Sequence, residues 1–147
     1  MKPLRQFKDF LDEGIVKKQS PDKKRADSLI SESNEAYHFL MEVVDKIGVN
    51  GNNVNYIVKN AYDIIMEMTR AVMLVNGFNS SGSYAHEAEV AYMRELKFSE
   101  PEVQFANQLR YFRNGITYYG VKYDSEYAGK VLDFLGRIHP KFQGLLK

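Results

Sequence analysis

Apolar residues recur at steps of three and four along most of the chain, the spacing that places side chains on one face of an α-helix. The first long stretch follows Ser20-Pro21-Asp22, a typical helix start because it combines a capping hydroxyl, a proline and an early acid. We predict a helix from there to about Gly48. Its inward-facing positions are predicted to be Ala26, Leu29, Ile30, Ser33, Tyr37, Leu40, Val44 and Ile47.

The middle of the chain predicts a second long helix and a shorter one. Helical spacing runs over residues 57–75 and stops at Asn76-Gly77, a pair typical of a helix end. The predicted inward-facing positions are Ile57, Ala61, Ile64, Met68, Val72 and Val75. Ser, Gly and Asn fill residues 79–83, so we predict a flexible connection there. Helical spacing returns over residues 84–96.

Two further start signals predict the last two helices. Ser99-Glu100-Pro101-Glu102 opens a helix that Gly120 closes, and Asp124-Ser125-Glu126 opens the final one. No stretch alternates in the manner of a strand, and long helices with short connections favour an antiparallel bundle. We therefore predict an all-α, up-and-down bundle of four or five helices. The 147 residues fit a single domain, 1–147.

Composition excludes several kinds of chemistry. The chain has no cysteine, which removes disulfides, thiol nucleophiles, iron–sulfur clusters and Cys-ligated zinc. Its histidines, His38, His86 and His139, stand singly, with no second histidine at the spacing of a metal site. The Gly-rich phosphate loops and the Gly-x-Ser-x-Gly turn of hydrolases are absent as well. We expect neither a metal nor a cofactor.

The charge balance predicts no global attraction to nucleic acid or membrane. Lys and Arg number 20 against 19 Asp and Glu, giving a net charge of +1. No apolar run approaches the roughly 20 residues of a membrane-spanning helix, and the charged N-terminus is unlike a signal peptide. We therefore expect a cytoplasmic protein with no membrane partner, and any polyanion site must be local.

A basic cluster at residues 17–25 is the first candidate for such a local site. It holds five basic residues against the single acid Asp22. The members are Lys17, Lys18, Lys23, Lys24 and Arg25. These side chains could contact RNA phosphates, or they could form a solvated surface loop.

A second cluster, at residues 109–120, breaks several rules of helix composition. Gly115 costs about 1 kcal/mol against alanine inside a helix. Arg110, Arg113, Asn114 and Thr117 follow one another at helical steps and form a polar stripe. Two arginines on such a stripe suit an anion, whereas the alternative is a buried polar network or an interface between subunits.

The chain resembles the HEPN superfamily of small all-α domains. The resemblance rests on Arg113-Asn114 late in the penultimate long helix and on the Tyr118-Tyr119-Gly120 that follows. Supporting features are Asn76-Gly77-Phe78 and Ser83-Tyr84-Ala85-His86, where related domains often have a Gly-aromatic turn and a Ser-His helix start. The resemblance covers residues 22–147.

The resemblance implies a homodimer with a site for RNA. Active members are metal-independent ribonucleases that place two Arg-polar-x-x-x-His motifs in one cleft. Arg113 matches the arginine and Asn114 the polar residue, but Tyr118 occupies the histidine position, with Tyr119 next to it. Tyrosine has an ordinary pKa of about 10, so it is a poor general base at neutral pH.

We therefore expect a binding module without efficient catalysis. It would take RNA, a nucleotide or a partner protein through Arg110, Arg113 and Asn114, with Tyr118 and Tyr119 stacking or hydrogen bonding. The resemblance also implies a small nucleotidyltransferase as a partner. One alternative is a ribonuclease toxin in which Tyr118 or His86 moves the proton, and another is a purely structural dimerisation domain.

Overall fold

The computed structural model describes residues 1–146, and in that range it is built almost entirely of helices. This agrees with the predicted all-α class, although the described chain has six helices where four or five were predicted. In chain order the elements are α1 (Phe7–Asp12), β1 (Val16–Lys18), α2 (Lys23–Lys46), α3 (Val54–Val75), β2 (Phe78–Ser80), α4 (Ala85–Glu95), α5 (Glu100–Tyr119) and α6 (Ser125–Leu145).

Helix α3 is the centre of the bundle. It packs against α2, α4, α5 and α6, and the predicted inward residues Ile57, Ile64 and Met68 are fully buried. Burying one such side chain stabilises the fold by about 1.5–3 kcal/mol. The helix is therefore apolar on nearly every side, and the few charged side chains that it carries must serve a specific purpose.

Local capping chemistry fixes most helix ends where the sequence predicted them. Ser99 and Glu102 form a reciprocal capping box at the start of α5, and Gly120 ends that helix with a left-handed φ of 67°. The Asp124 carboxylate accepts a hydrogen bond from the Tyr127 N–H at the start of α6. The predicted start of α2 needs one correction, because Asp22 rather than Ser20 is the cap and accepts from the Arg25 N–H.

A two-stranded sheet corrects the prediction that the chain has no strands and that residues 79–83 are flexible. Strand β1 pairs with β2 in antiparallel register, Val16 opposite Ser80 and Lys18 opposite Phe78. Strands of three residues are too short to show alternation in the sequence. The sheet ties the N-terminal segment to the connection that leads into α4.

The predicted inward orientation is also wrong for two residues at helix ends. Ile47 was predicted to face inward but is 65% exposed, because it follows the last helical residue of α2 as its C-cap. Val75, the last residue of α3, is exposed as well. Helix α1 was not predicted, and it buries Phe7 and Phe10 against the bundle. No helix within residues 1–146 is long and apolar enough to cross a membrane.

Candidate functional site

Three helices bring together a group of polar side chains that the apolar bundle would otherwise exclude. Tyr62 and Asp63 come from α3, His86 from the first turn of α4, and Arg113 from the second half of α5. We call these four residues the Arg113 cluster. The neighbouring Arg70 of α3 interacts with a separate carboxylate, described below.

Arg113 is held only loosely. One terminal nitrogen of its guanidinium lies 3.8 Å from the Asp63 Oδ1, and the guanidinium carbon is 5.7 Å from the centre of the Tyr62 ring. The Arg113 side chain is 21% exposed, and that of Asp63 is 49% exposed. The Arg113 Nε is buried and has no hydrogen-bond partner within residues 1–146. The guanidinium therefore keeps donors that the fold does not use.

His86 and Tyr62 share a hydrogen bond in the same cluster. The Tyr62 hydroxyl lies 2.9 Å from the His86 Nδ1, and the two rings are stacked. Burial lowers the pKa of His86, and the positive charges of Arg70 and Arg113 lower it further while Glu89 acts in the opposite direction. Burial of His86 thus favours the neutral form of its imidazole, and its Nδ1 is the ring nitrogen that pairs with Tyr62.

Burial also controls the two α3 members of the cluster. It raises the pKa of Tyr62, against the opposing charges of Arg110 and Arg113, so the hydroxyl stays protonated. It raises the pKa of Asp63 too, although the Arg113 charge favours the carboxylate form. Within residues 1–146 Asp63 is the one acidic partner of Arg113, and its burial disfavours the charged carboxylate.

A polar cavity of about 310 Å³ opens beside the cluster. Asp63, Glu67, Arg70 and His86 line it together with residues of α2. Burial, followed by the charges of Glu32 and Asp63, raises the pKa of Glu67 to about 7. Its Oε2 is buried without a hydrogen-bond partner in the described chain. The cavity wall therefore changes its charge near neutral pH.

Arg70 makes the tight ion pair of this region. Its Nε and a terminal nitrogen donate to the two carboxylate oxygens of Glu89 at 2.8 and 3.1 Å. The Ser80 hydroxyl of β2 donates to the same carboxylate at 2.9 Å, and Glu89 is only 1% exposed. This pair, with Ser80, connects α3, α4 and β2 and gives the buried Glu89 carboxylate partners on both of its oxygens.

Arg110, a second residue that the sequence predicted for the site, lies on the same helix as Arg113. It sits one turn earlier on α5 and donates from two nitrogens to the Asn107 Oδ1 at 3.1 and 3.0 Å. It also lines an open groove of about 980 Å³ that contains Tyr84 and Tyr111. Asn114 is partly buried next to Arg113 in the chain.

Tyr118 and Tyr119 lie apart from the cluster, at the end of α5. They are 69% and 83% exposed, and neither forms a side-chain hydrogen bond within residues 1–146. Five residues along an α-helix turn Tyr118 about 140° around the axis from Arg113. Their predicted role in stacking or hydrogen bonding to a ligand stays a prediction.

Gly115 has a structural reason that the sequence did not reveal. The chain after α5 folds back over it, and a Cβ atom there would lie 3.3 Å from the Tyr123 hydroxyl and 3.5 Å from Val121. The Gly115 carbonyl also accepts the Val121 N–H. The absence of a side chain at Gly115 therefore allows the segment after α5 to pack closely over the helix, and Gly115 is no evidence for a ligand.

Sequence reasoning missed Tyr62 and the charged residues of α3. Asp63, Glu67 and Arg70 follow one another at steps of four and three on a helix that is otherwise apolar. Three charged residues aligned along one face of a long, mostly apolar helix could have indicated a polar site there. No group of His, Asp and Glu within residues 1–146 could hold a metal ion.

Comparison with known proteins gives this chain no relative. No protein-family model, curated protein or solved structure matches it.

Proposed function

We propose that this chain binds a phosphate-bearing ligand, a nucleotide or RNA, through Arg113. The observation that supports the proposal is the incomplete bonding of the guanidinium: its Nε is buried without a partner, and its one ion pair is 3.8 Å long. Planar guanidinium groups bind phosphate through two parallel hydrogen bonds, each stronger than a neutral one. A phosphate at the terminal nitrogens supplies acceptors that Asp63, 3.8 Å away, does not, while the Nε stays buried behind them.

The neighbours of Arg113 suit a phosphate as well. Arg110 adds a second cation one turn earlier on α5, and its own partner is a neutral amide rather than a carboxylate. The neutral imidazole of His86 adds a polar ring nitrogen beside them. The resemblance of Arg113-Asn114 to the HEPN motif agrees with this proposal.

Equilibrium binding of labelled AMP and of a short RNA to the Arg113→Ala variant tests the proposal. We expect affinity to fall at least about tenfold, because each charge-assisted hydrogen bond contributes about 1.5–3 kcal/mol. Arg137→Ala is the matched control, since Arg137 is an exposed arginine on α6. Equal affinity in the wild type and both variants contradicts the proposal.

A second candidate function is metal-independent RNA cleavage with His86 as the proton-transferring group. The observation that favours it is the position of His86, whose Nδ1 is bound to the Tyr62 hydroxyl in the same cluster as Arg113. A neutral imidazole is a competent general base, and such help contributes about 10²- to 10⁴-fold to a rate.

Incubation of cellular RNA with the purified protein in EDTA separates the two functions. The ribonuclease activity is assigned to His86 if the wild type cleaves RNA, His86→Ala and Arg113→Ala both abolish cleavage, and Tyr118→Phe preserves it. Intact RNA at high protein concentration removes that candidate and leaves the binding function. Slow growth of the expressing cells, relieved by Arg113→Ala, is the corresponding observation in vivo.

We also propose that the end of α5 is a contact surface for a second copy of the chain. Tyr118 and Tyr119 are exposed there, and tyrosine is enriched in protein interfaces. Sedimentation of Tyr118→Ser/Tyr119→Ser should show a shift towards monomer. An unchanged dimer, or a monomeric wild type, contradicts this surface. A nucleotidyltransferase remains the partner protein that the resemblance implies.

A further inference from the structure

The basic cluster of residues 17–25 lies on a strand, a helix start and the short connection between them, rather than in an unstructured loop. Lys17 and Lys18 lie on β1, and Lys23, Lys24 and Arg25 form the first turn of α2. All five side chains are exposed. We call these five residues the basic patch.

Backbone contacts fix the segment that joins the two parts of the basic patch. The Gln19 N–H donates to the Gly77 carbonyl at 2.8 Å, and the Asp22 N–H donates to the Leu74 carbonyl at 3.0 Å. Gly77 has a φ of +83°, and a Cβ there would lie 2.8 Å from the Gln19 carbonyl oxygen. The strand, the connection and the helix start are therefore held in one arrangement before any ligand binds, which lowers the entropic cost of binding.

The basic patch carries an excess of positive charge, although Asp27 lies four residues after Lys23 on α2 and lines a surface pocket together with Lys24. None of its five cations forms an ion pair within residues 1–146, whereas Arg5, Arg70, Arg94 and Arg113 all do. The single acid, Asp22, uses its carboxylate to cap the helix.

The first turn of α2 also runs against the usual preference of a helix start. The N-terminal end of a helix carries partial positive charge and favours acidic side chains, yet this first turn has none and holds three cations. The Asp22 cap supplies one negative charge at this end of the helix, and the three cations remain in excess of it. Sites that break local rules in this way are commonly functional.

We propose that the basic patch binds the phosphodiester backbone of nucleic acid, separately from the Arg113 cluster. Residues 17–25 include no aromatic residue that could stack on a base. The patch would therefore contact phosphates rather than bases. Residues 17–25 also include no large aliphatic side chain that could enter a bilayer. The proposal goes beyond the Arg113 function, because a mononucleotide spans too little phosphate to engage both parts of the patch.

Fluorescence anisotropy with a labelled oligouridylate of about 20 nucleotides, titrated from about 50 to 200 mM salt, tests the basic patch. In Lys23→Gln/Lys24→Gln we expect affinity at low salt to fall at least about tenfold, and the slope of log K against log salt to shrink by about 1.4. Lys17→Gln/Lys18→Gln should behave in the same way. Oligothymidylate of equal length should lose as much affinity, because the patch reads phosphate and not the 2′-hydroxyl.

Lys46→Gln/Lys130→Gln is the matched control, with the same change in net charge at lysines far from the patch. We expect the control to bind like the wild type. The four substituted patch lysines and the two control lysines are all exposed. All variants should therefore keep the circular dichroism spectrum and melting temperature of the wild type. Equal weakening in patch and control variants overturns the proposal. Binding of the wild type to phosphatidylserine vesicles but not to the oligouridylate overturns it too, and assigns the patch to membranes.

The Arg113→Ala variant separates this proposal from the previous one. If it loses AMP but keeps the salt slope of the wild type, both proposals stand. If AMP fails to bind while the patch variants weaken oligouridylate binding, only the Arg113 function fails. If Arg113→Ala alone weakens oligouridylate binding, only the basic patch fails.

Discussion

Two arginine–carboxylate pairs lie side by side in this bundle, and they differ in almost every physical respect. Arg70 donates twice to a carboxylate that is nearly sealed from solvent, and Ser80 completes the bonding of Glu89. Arg113 reaches a half-exposed Asp63 at 3.8 Å and leaves its Nε without a partner. The Glu89 carboxylate therefore has partners on both oxygens, whereas Arg113 has one long ion pair and a buried nitrogen without a partner in the described chain.

The number of hydrogen-bond partners of each pair distinguishes a structural polar group from a candidate functional one in a small helical domain. A buried carboxylate with all its partners is expensive to disturb, because the Glu89 charge left behind would stay in a low-dielectric interior. A loose pair at the protein surface contributes about 0–1 kcal/mol to stability and can exchange its partner for a ligand. We therefore expect the two arginines to respond in opposite ways to the same substitution.

Arg70→Ala should give the largest loss of stability. It leaves the Glu89 carboxylate buried with only Ser80 as a partner, and we expect the free energy of unfolding to fall by about 3–5 kcal/mol. Urea denaturation followed by circular dichroism measures this loss. A loss below about 1 kcal/mol, the size of a surface pair, would remove the distinction between the two arginines.

Ser80→Ala should have a smaller effect of the same kind. It removes one of the hydrogen bonds to Glu89 and keeps the Arg70 pair, so we expect a loss of about 1 kcal/mol. The same denaturation experiment measures it, with Ser81→Ala as the control because Ser81 is exposed. If the two serine variants lost equal stability, the saturated network around Glu89 would be wrong.

Glu67→Gln should reveal the pH dependence of the cavity between the two pairs. The pKa of Glu67 rises from its ordinary 4.5 to about 7 in the folded protein, so the favourable contribution of the protonated form is lost as pH rises through 7. We expect the variant to gain stability relative to the wild type between pH 5 and pH 8, by less than about 1 kcal/mol because solvent screens the half-buried side chain.

Thermal denaturation of both proteins at the two pH values measures this gain. A constant difference between pH 5 and pH 8 would mean that the Glu67 carboxyl is not desolvated as described.

Sequence patterns were sufficient for the helices because their ends depend on local chemistry. Ser99, Gly120 and Asp124 cap the helices that they were predicted to cap, and each does so through neighbours only a few residues away. The β1–β2 sheet was missed because its strands are three residues long and pair across some 60 positions of chain.

The candidate site was only partly predictable for the same reason. Arg110 and Arg113 were found because they share one helix face, but Tyr62 and Asp63 join them only through the packing of α3 against α5. Gly115 was interpreted as a functional irregularity, whereas it accommodates the chain that returns over α5. Non-local packing of this kind leaves no fixed spacing in the sequence.

The most direct test of the account measures stability and ligand affinity of Arg113→Ala in one preparation. We expect the free energy of unfolding to change by less than about 1 kcal/mol, while affinity for AMP or short RNA falls at least about tenfold. The opposite result, a loss of about 3 kcal/mol or more with unchanged affinity of the folded protein, would make Arg113 a structural arginine like Arg70.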